Sequence, residues 1–122
     1  EEGGADAVSL INTLTGMKVD IQRKAFVLAN KTGGVSGPAI HPIAVRMVYE
    51  AANAVNVPII GMGGIATAED AIEMLLVGAS AVSVGTANFY NPAVTMEIVD
   101  GIEQYMEAQG FASVADMVGI VK

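Results

Sequence analysis

An α/β fold with parallel strands is predicted by three features of the sequence. Short apolar runs rich in Val, Ile and Ala recur at residues 7–12, 57–60 and 79–84, each bounded by polar residues or glycine, as expected of strands buried on both faces. Each run is followed, sooner or later, by a stretch with apolar residues at helical spacing. The composition agrees: 52% hydrophobic and 16% charged residues, with 14 glycines and 5% aromatics among 122 residues, suit buried parallel strands with covering helices and exclude disorder.

Taken in order, residues 7–12 form the first strand, leaving Asn12 and Thr13 at its C-terminal end. Met17, Val19, Ile21, Phe26 and Leu28 then roughly alternate around the polar Gln22-Arg23-Lys24, which predicts a β-hairpin excursion over 17–28. Lys31-Thr32-Gly33-Gly34 through Gly37-Pro38 reads as a glycine-rich loop. Pro42 suits the first turn of a helix whose apolar stripe is Val45, Val48, Ala52 and Val55, ending near Asn56. Residues 57–60 make the second strand, broken by Gly61, Gly63 and Gly64. Thr67 is an N-cap with Asp70 three residues on, opening a helix that carries Ala71, Ile72, Leu75 and Leu76. Gly78 stops it, and residues 79–84 form the third strand, ending in Gly85-Thr86-Ala87-Asn88. Asn91 and Pro92 cap and open the last long helix, with Val94, Ile98, Ile102 and Tyr105 facing inward. Residues 113–118 add a further helical turn or two.

The repeated order of strand and helix requires parallel pairing with right-handed crossovers, and so three consecutive βα units. Three units leave the first and last strands with open hydrogen-bonding edges, which only a closed barrel removes. The expected whole is therefore a TIM (β/α)8 barrel, with residues 1–122 the C-terminal part of that single domain and the missing units upstream or on another chain. The opening Glu1-Glu2-Gly3-Gly4-Ala5-Asp6 lacks Met and runs almost directly into a strand, which also reads as a fragment.

A net charge of −7, with six scattered Lys and Arg residues, argues against nucleic acid and anionic membrane surfaces as partners. No apolar run is long enough to span a bilayer and no signal peptide opens the chain, so a cytoplasmic protein is expected. Without cysteine the chain holds no disulfide, no Cys-ligated iron-sulfur cluster and no Cys nucleophile.

The strongest chemical signal is glycine at two adjacent strand ends, Gly61-Met62-Gly63-Gly64 and Gly85-Thr86. Phosphates approach backbone amides closely only where side chains are absent, and the loops after the last two strands of a (β/α)8 barrel commonly build a phosphate site. The plainer alternative is tight turns. Ser36 and Gly37 could reach the same ligand or simply end a flexible return, and Asn12 and Thr13 could bind a polar substrate or form a turn. His41, the only histidine, has no acid beside it in sequence and reads as a structural residue of the surface at a helix start. Glu69, Asp70 and Glu73 favour the positive end of a helix dipole rather than a metal. Of the seven methionines, Met62 alone is placed to touch a ligand.

Leu10-Ile11-Asn12-Thr13, Gly33-Gly34-Val35-Ser36-Gly37-Pro38-Ala39, Ile60-Gly61-Met62-Gly63-Gly64-Ile65 and Val84-Gly85-Thr86-Ala87-Asn88 together resemble, in motif and order, the dihydroorotate dehydrogenases. The Asn-Thr and Gly-Met-Gly-Gly versions are similar to the NAD-linked class 1B catalytic subunit. The resemblance implies flavin-dependent oxidation of dihydroorotate to orotate, FMN contacts at Ile11, Gly37, Gly63, Gly64, Gly85 and Thr86, the last four holding the phosphate, and substrate contacts at Asn12 and Thr13. It also implies a homodimer and an iron-sulfur/FAD electron-transfer partner subunit. In that class the base is a cysteine on an upstream loop, and an upstream lysine also contacts the flavin. Neither is present, so the resemblance assigns no catalytic residue here and the chain by itself is expected to be inactive. Two other readings share the glycine loops: a different FMN- or phosphate-binding barrel enzyme without the Asn12-Thr13 strand end, and a non-catalytic partial-barrel scaffold.

Overall fold

The computed structural model describes residues 1–121. Val8–Leu10 forms β1; Leu14–Met17, Val19–Asp20, Ala25–Phe26 and Thr32–Val35 follow as β2 to β5; then come His41–Ala52 (α1), Ile59–Met62 (β6), Ala68–Leu76 (α2), Ala81–Ser83 (β7) and Val94–Gln109 (α3). Short 3-10 turns span Pro38–Ile40, Thr86–Phe89 and Val114–Asp116.

The three apolar runs assemble as expected into one parallel sheet in the order β1-β6-β7, with Leu10 opposite Gly61 and Gly61 opposite Val82. One face of this sheet is covered by helices. On it Ile59 and Gly61 of β6 are buried, and α2 lies so close that a Cβ on Gly61 would sit 3.2 Å from the sulfur of Met74. Ile59, Val48 and Met74 are no more than 2% exposed and form the centre of the core with Ala44, Ala71, Val94 and Ile98; full burial of each large side chain contributes roughly 1.5–3 kcal/mol. A second cluster, Ile72, Leu75 and Met117, joins α2 to the C-terminal segment, where Tyr105 stacks on Phe111. On the opposite face Ser9, Ala81 and Ser83 are exposed and Ile60 and Met62 only half-buried.

The segment after β1 follows the sequence pattern in part: a hairpin does lie within 17–28, as β3 and β4, but the pairing extends further. Alternation predicts one hairpin over 17–28 and a loop over 31–38, whereas the structure pairs β2 with β5 and, beyond them, β3 with β4. The glycine-rich stretch is thus half strand: Gly16 lies opposite Gly33, and Thr15 opposite Gly34. Glycines have poor strand propensity, so pairing with β2, not local preference, decides their state. At the tip Asp20 accepts from the amides of Gln22 and Arg23, both at 2.9 Å.

The start of α2 was legible from its side-chain cap. Thr67 accepts from the amide of Asp70, whose carboxylate accepts from Thr67 in return, a complete capping box; Ser113 and Asp116 repeat it at the last 3-10 turn. Pro42 sits in the first turn of α1. That helix ends at Ala52 rather than near Asn56, and its buried stripe is His41, Ala44 and Val48, with Val45 and Ala52 half-buried. The last helix begins at Val94, not at Pro92. Asn91 uses its carboxamide oxygen to accept from Ala93 at 3.0 Å and its nitrogen to donate to Glu97 at 2.7 Å, so it closes a turn before the helix.

Candidate functional site

The C-terminal ends of the three parallel strands open into one cavity of about 520 Å³. Its wall is made by the segment after β1 (Ile11, Asn12, Thr13), the return from the hairpin (Ser36, Gly37), the end of β6 (Met62, Gly63, Gly64) and the segment after β7 (Gly85, Thr86). Four chain segments separated by up to 75 positions are brought together because parallel strands end on the same side, where a βα unit places its loops.

The wall combines apolar contact with backbone polarity. Ile11 is 6% exposed and Gly37 buried, whereas Asn12 and Thr13 stand open to the cavity. The carboxamide oxygen of Asn12 accepts from the amide of Thr13 at 2.7 Å; among the described residues its nitrogen has no acceptor. Thr86 donates its hydroxyl to Ser36 at 2.8 Å, tying the end of β7 to the hairpin return. The amides of Gly63, Gly64, Gly85 and Thr86 donate to no carbonyl among the described residues. Among the described residues no Asp, Glu, Lys or Arg lines the cavity, and no group of His, Asp and Glu could hold a metal.

Sterics separate the glycines. A Cβ at Gly64, which has φ +70°, would lie 2.7 Å from the carbonyl oxygen of Gly37 and 2.8 Å from Cβ of His41; at Gly63, with φ +130°, it would lie 2.7 Å from Cβ of Ala44. These two glycines are required by the fold itself. Gly85 differs: its φ is −108°, and an added Cβ would meet nothing within 4 Å. Crowding among the described residues does not call for glycine there. A cradle that keeps cavity space free of a side chain and offers unpartnered amides fits an anionic, phosphate-like group.

His41 is corrected by the structure. It is 6% exposed, not a surface residue. Its Nδ1 lies 2.9 Å from the carbonyl oxygen of Gly63 and its Nε2 3.1 Å from Glu73 and 3.7 Å from Asp70. The partner acids come from α2, more than one turn of fold away, which is why adjacency in sequence did not reveal them. Ile40, Ala66 and Tyr90 also line the cavity without having been singled out, as do Ile65 and Asn91, which were named only within a motif and as a helix cap. The available signal was position: each lies within a few residues of a glycine-marked strand end.

Residues 1–106 match the family model described as dihydroorotate dehydrogenase. The chain belongs to this family. It is 62% identical over its whole length to the dihydroorotate dehydrogenase B (NAD(+)) catalytic subunit of Lachnoclostridium phytofermentans, covering 41% of that protein. Over 96% of the chain it is 61% identical to the subunit of the same name from Alkaliphilus oremlandii, covering 39% of it. The chain thus spans about two fifths of the length of these relatives. A solved dihydroorotate dehydrogenase from Eimeria tenella, in complex with ferulenol, superposes on 98% of the chain with a TM-score of 0.79 at 29% identity, the chain covering 32% of that structure. Like its family, the chain is α/β with a parallel sheet. Among the described residues no helix is long and apolar enough to cross a membrane.

Proposed function

We propose that residues 1–122 are the C-terminal three βα units of a single FMN-binding (β/α)8 barrel domain. In this reading the chain supplies the FMN-phosphate site and part of the substrate site of an NAD-linked dihydroorotate dehydrogenase, which oxidises dihydroorotate to orotate in de novo pyrimidine biosynthesis. The observation that carries the reading is Gly85, a glycine whose Cβ position no described residue crowds, facing the same cavity as the amides of Gly63 and Gly64, which have no carbonyl partner among the described residues. The uncovered sheet face at Ser9, Ile60, Ala81 and Ser83 supports the further barrel units, since it is the face such units would enclose.

In that site Gly63, Gly64, Gly85 and Thr86 hold the phosphate through backbone amides. This suits a cavity wall to which the described residues bring no cationic side chain. Ile11 and Gly37 give the flavin ring an apolar border. Asn12, whose carboxamide nitrogen is free to donate, and Thr13 orient dihydroorotate beside it. When bound, FMN supplies the hydride acceptor. The base that takes the substrate proton, a cysteine in the resembling class, is not among these residues, for the chain has no cysteine. The relatives are named as catalytic subunits, which supports a further partner subunit; an iron-sulfur/FAD identity for that partner, a homodimer and a cytoplasmic location belong to the NAD-linked reading itself.

The test is the visible spectrum of two preparations. The chain alone should be colourless and inactive. The Lachnoclostridium phytofermentans subunit with its matching segment replaced by this chain should show flavin absorbance that dihydroorotate bleaches. A graft that folds but takes up no flavin would sink the proposal.

A further inference from the structure

We infer that His41 is a positioning residue for the phosphate loop, aiming the Gly64 amide into the cavity by holding the carbonyl on the other end of the same peptide unit. This rests on the reading of the cavity as an FMN site. The carbonyl oxygen of Gly63 only accepts, so the Nδ1 of His41, 2.9 Å away, carries the hydrogen and donates it. The Gly63–Gly64 peptide is trans, and in a trans peptide C=O and N–H point in opposite directions. With the carbonyl drawn toward the buried ring, the Gly64 amide is directed away from it, on a residue that lines the cavity.

Such a lock has a purpose here because the peptide has glycine on both sides. Glycine populates positive and negative φ almost equally, so a Gly-Gly peptide rotates at little cost unless something grips it. His41 is itself gripped. Its Nε2 faces Glu73 at 3.1 Å and Asp70 at 3.7 Å, and the other carboxylate oxygen of Asp70 accepts from the amides of Ala66 and Thr67, each at 2.9 Å. The first turns of α2 therefore fix the ring, the ring fixes the Gly63 carbonyl, and the Gly64 amide follows. No step depends on His41 touching a ligand, and the cavity wall does not include it.

The experiment uses the grafted subunit described above, with His41→Leu, His41→Asn and Glu73→Ala, the last on an exposed side chain. Titration with FMN and with riboflavin, which lacks the phosphate, separates positioning of the phosphate loop from general damage. His41→Leu should weaken FMN about tenfold, the worth of one good hydrogen bond, and leave riboflavin within about twofold. His41→Asn, whose carboxamide can donate in place of Nδ1, should recover most of the loss. If His41→Leu does not fold, Glu73→Ala carries the test: FMN affinity falling while riboflavin holds supports the inference, and unchanged FMN affinity overturns it. Equal losses for FMN and riboflavin, or no recovery in His41→Asn, also overturn it. If the unsubstituted graft binds no flavin, the FMN reading fails on its own account. The lock is then decided by glycine-selective ¹⁵N spectra: a Gly64 amide that broadens in His41→Leu and sharpens in His41→Asn supports it, and an unchanged resonance refutes it.

Discussion

At Gly85 an added methyl would meet no described atom within 4 Å, whereas at Gly64 it would press on Gly37 and His41. The two positions therefore give opposite predictions. Gly85→Ala should leave stability within about 0.5 kcal/mol, as for other uncrowded substitutions, yet weaken FMN at least about tenfold in the grafted subunit; thermal melts and flavin titration read the two effects separately. Gly64→Ala should lower stability by roughly 1–3 kcal/mol through overpacking and strain at positive φ, visible in denaturant melts before any ligand is added. A Gly85→Ala protein that binds FMN normally would remove the main support for the phosphate cradle. Asn12→Ala should raise KM for dihydroorotate about tenfold, the loss of one hydrogen bond, with flavin content unchanged. Loss of flavin in that variant would instead move Asn12 to the cofactor side of the site.

Caps and turns decide the elements that frame the cavity. The Thr67–Asp70 box satisfies the opening amides of α2 and leaves the second Asp70 oxygen facing His41, so one carboxylate serves both a helix start and the buried histidine. Thr67→Ala should cost about 1 kcal/mol, measurable as a lower denaturation midpoint with an unchanged slope. This box was legible because its residues are three apart. The strand status of Thr32–Val35 was not, since Gly33 and Gly34 have weak local preference and take their conformation from β2 across the hairpin. The start of α3 slipped from Asn91–Pro92 to Val94 for a related reason: Asn91 caps a preceding turn through Ala93, a choice that spacing alone does not distinguish from a helix cap.

For the molecule as a whole, the sheet β1-β6-β7 ends in two strands with no further neighbour among the described residues, and one of its faces is poorly covered. Exposed apolar side chains, among them Ile21 at 78%, Phe89 at 90% and Tyr90 at 85%, add to the surface that a larger assembly would bury. The chain alone is therefore expected to self-associate in sedimentation velocity. Adding the remaining part of the relative's subunit as a separate polypeptide should replace the larger species with a discrete complex that binds flavin. A monodisperse monomer of the chain alone would instead favour a self-contained scaffold.

The sequence by itself determined the parallel βα order and the Thr67–Asp70 cap, and it named residues that the fold brings to one place. Ile11, Asn12, Thr13, Gly37, Gly63, Gly64, Gly85 and Thr86 do line one cavity, because a strand pattern fixes where a strand ends and parallel strands end together. Only the tertiary structure decided which glycines are crowded by their neighbours and which are not, and that His41 is buried between Gly63 and two acids of α2. Those facts depend on atoms brought within a few ångströms from positions 22 to 32 residues apart. Local periodicity carries no information about such contacts; packing of α1 and α2 on the same strand creates them.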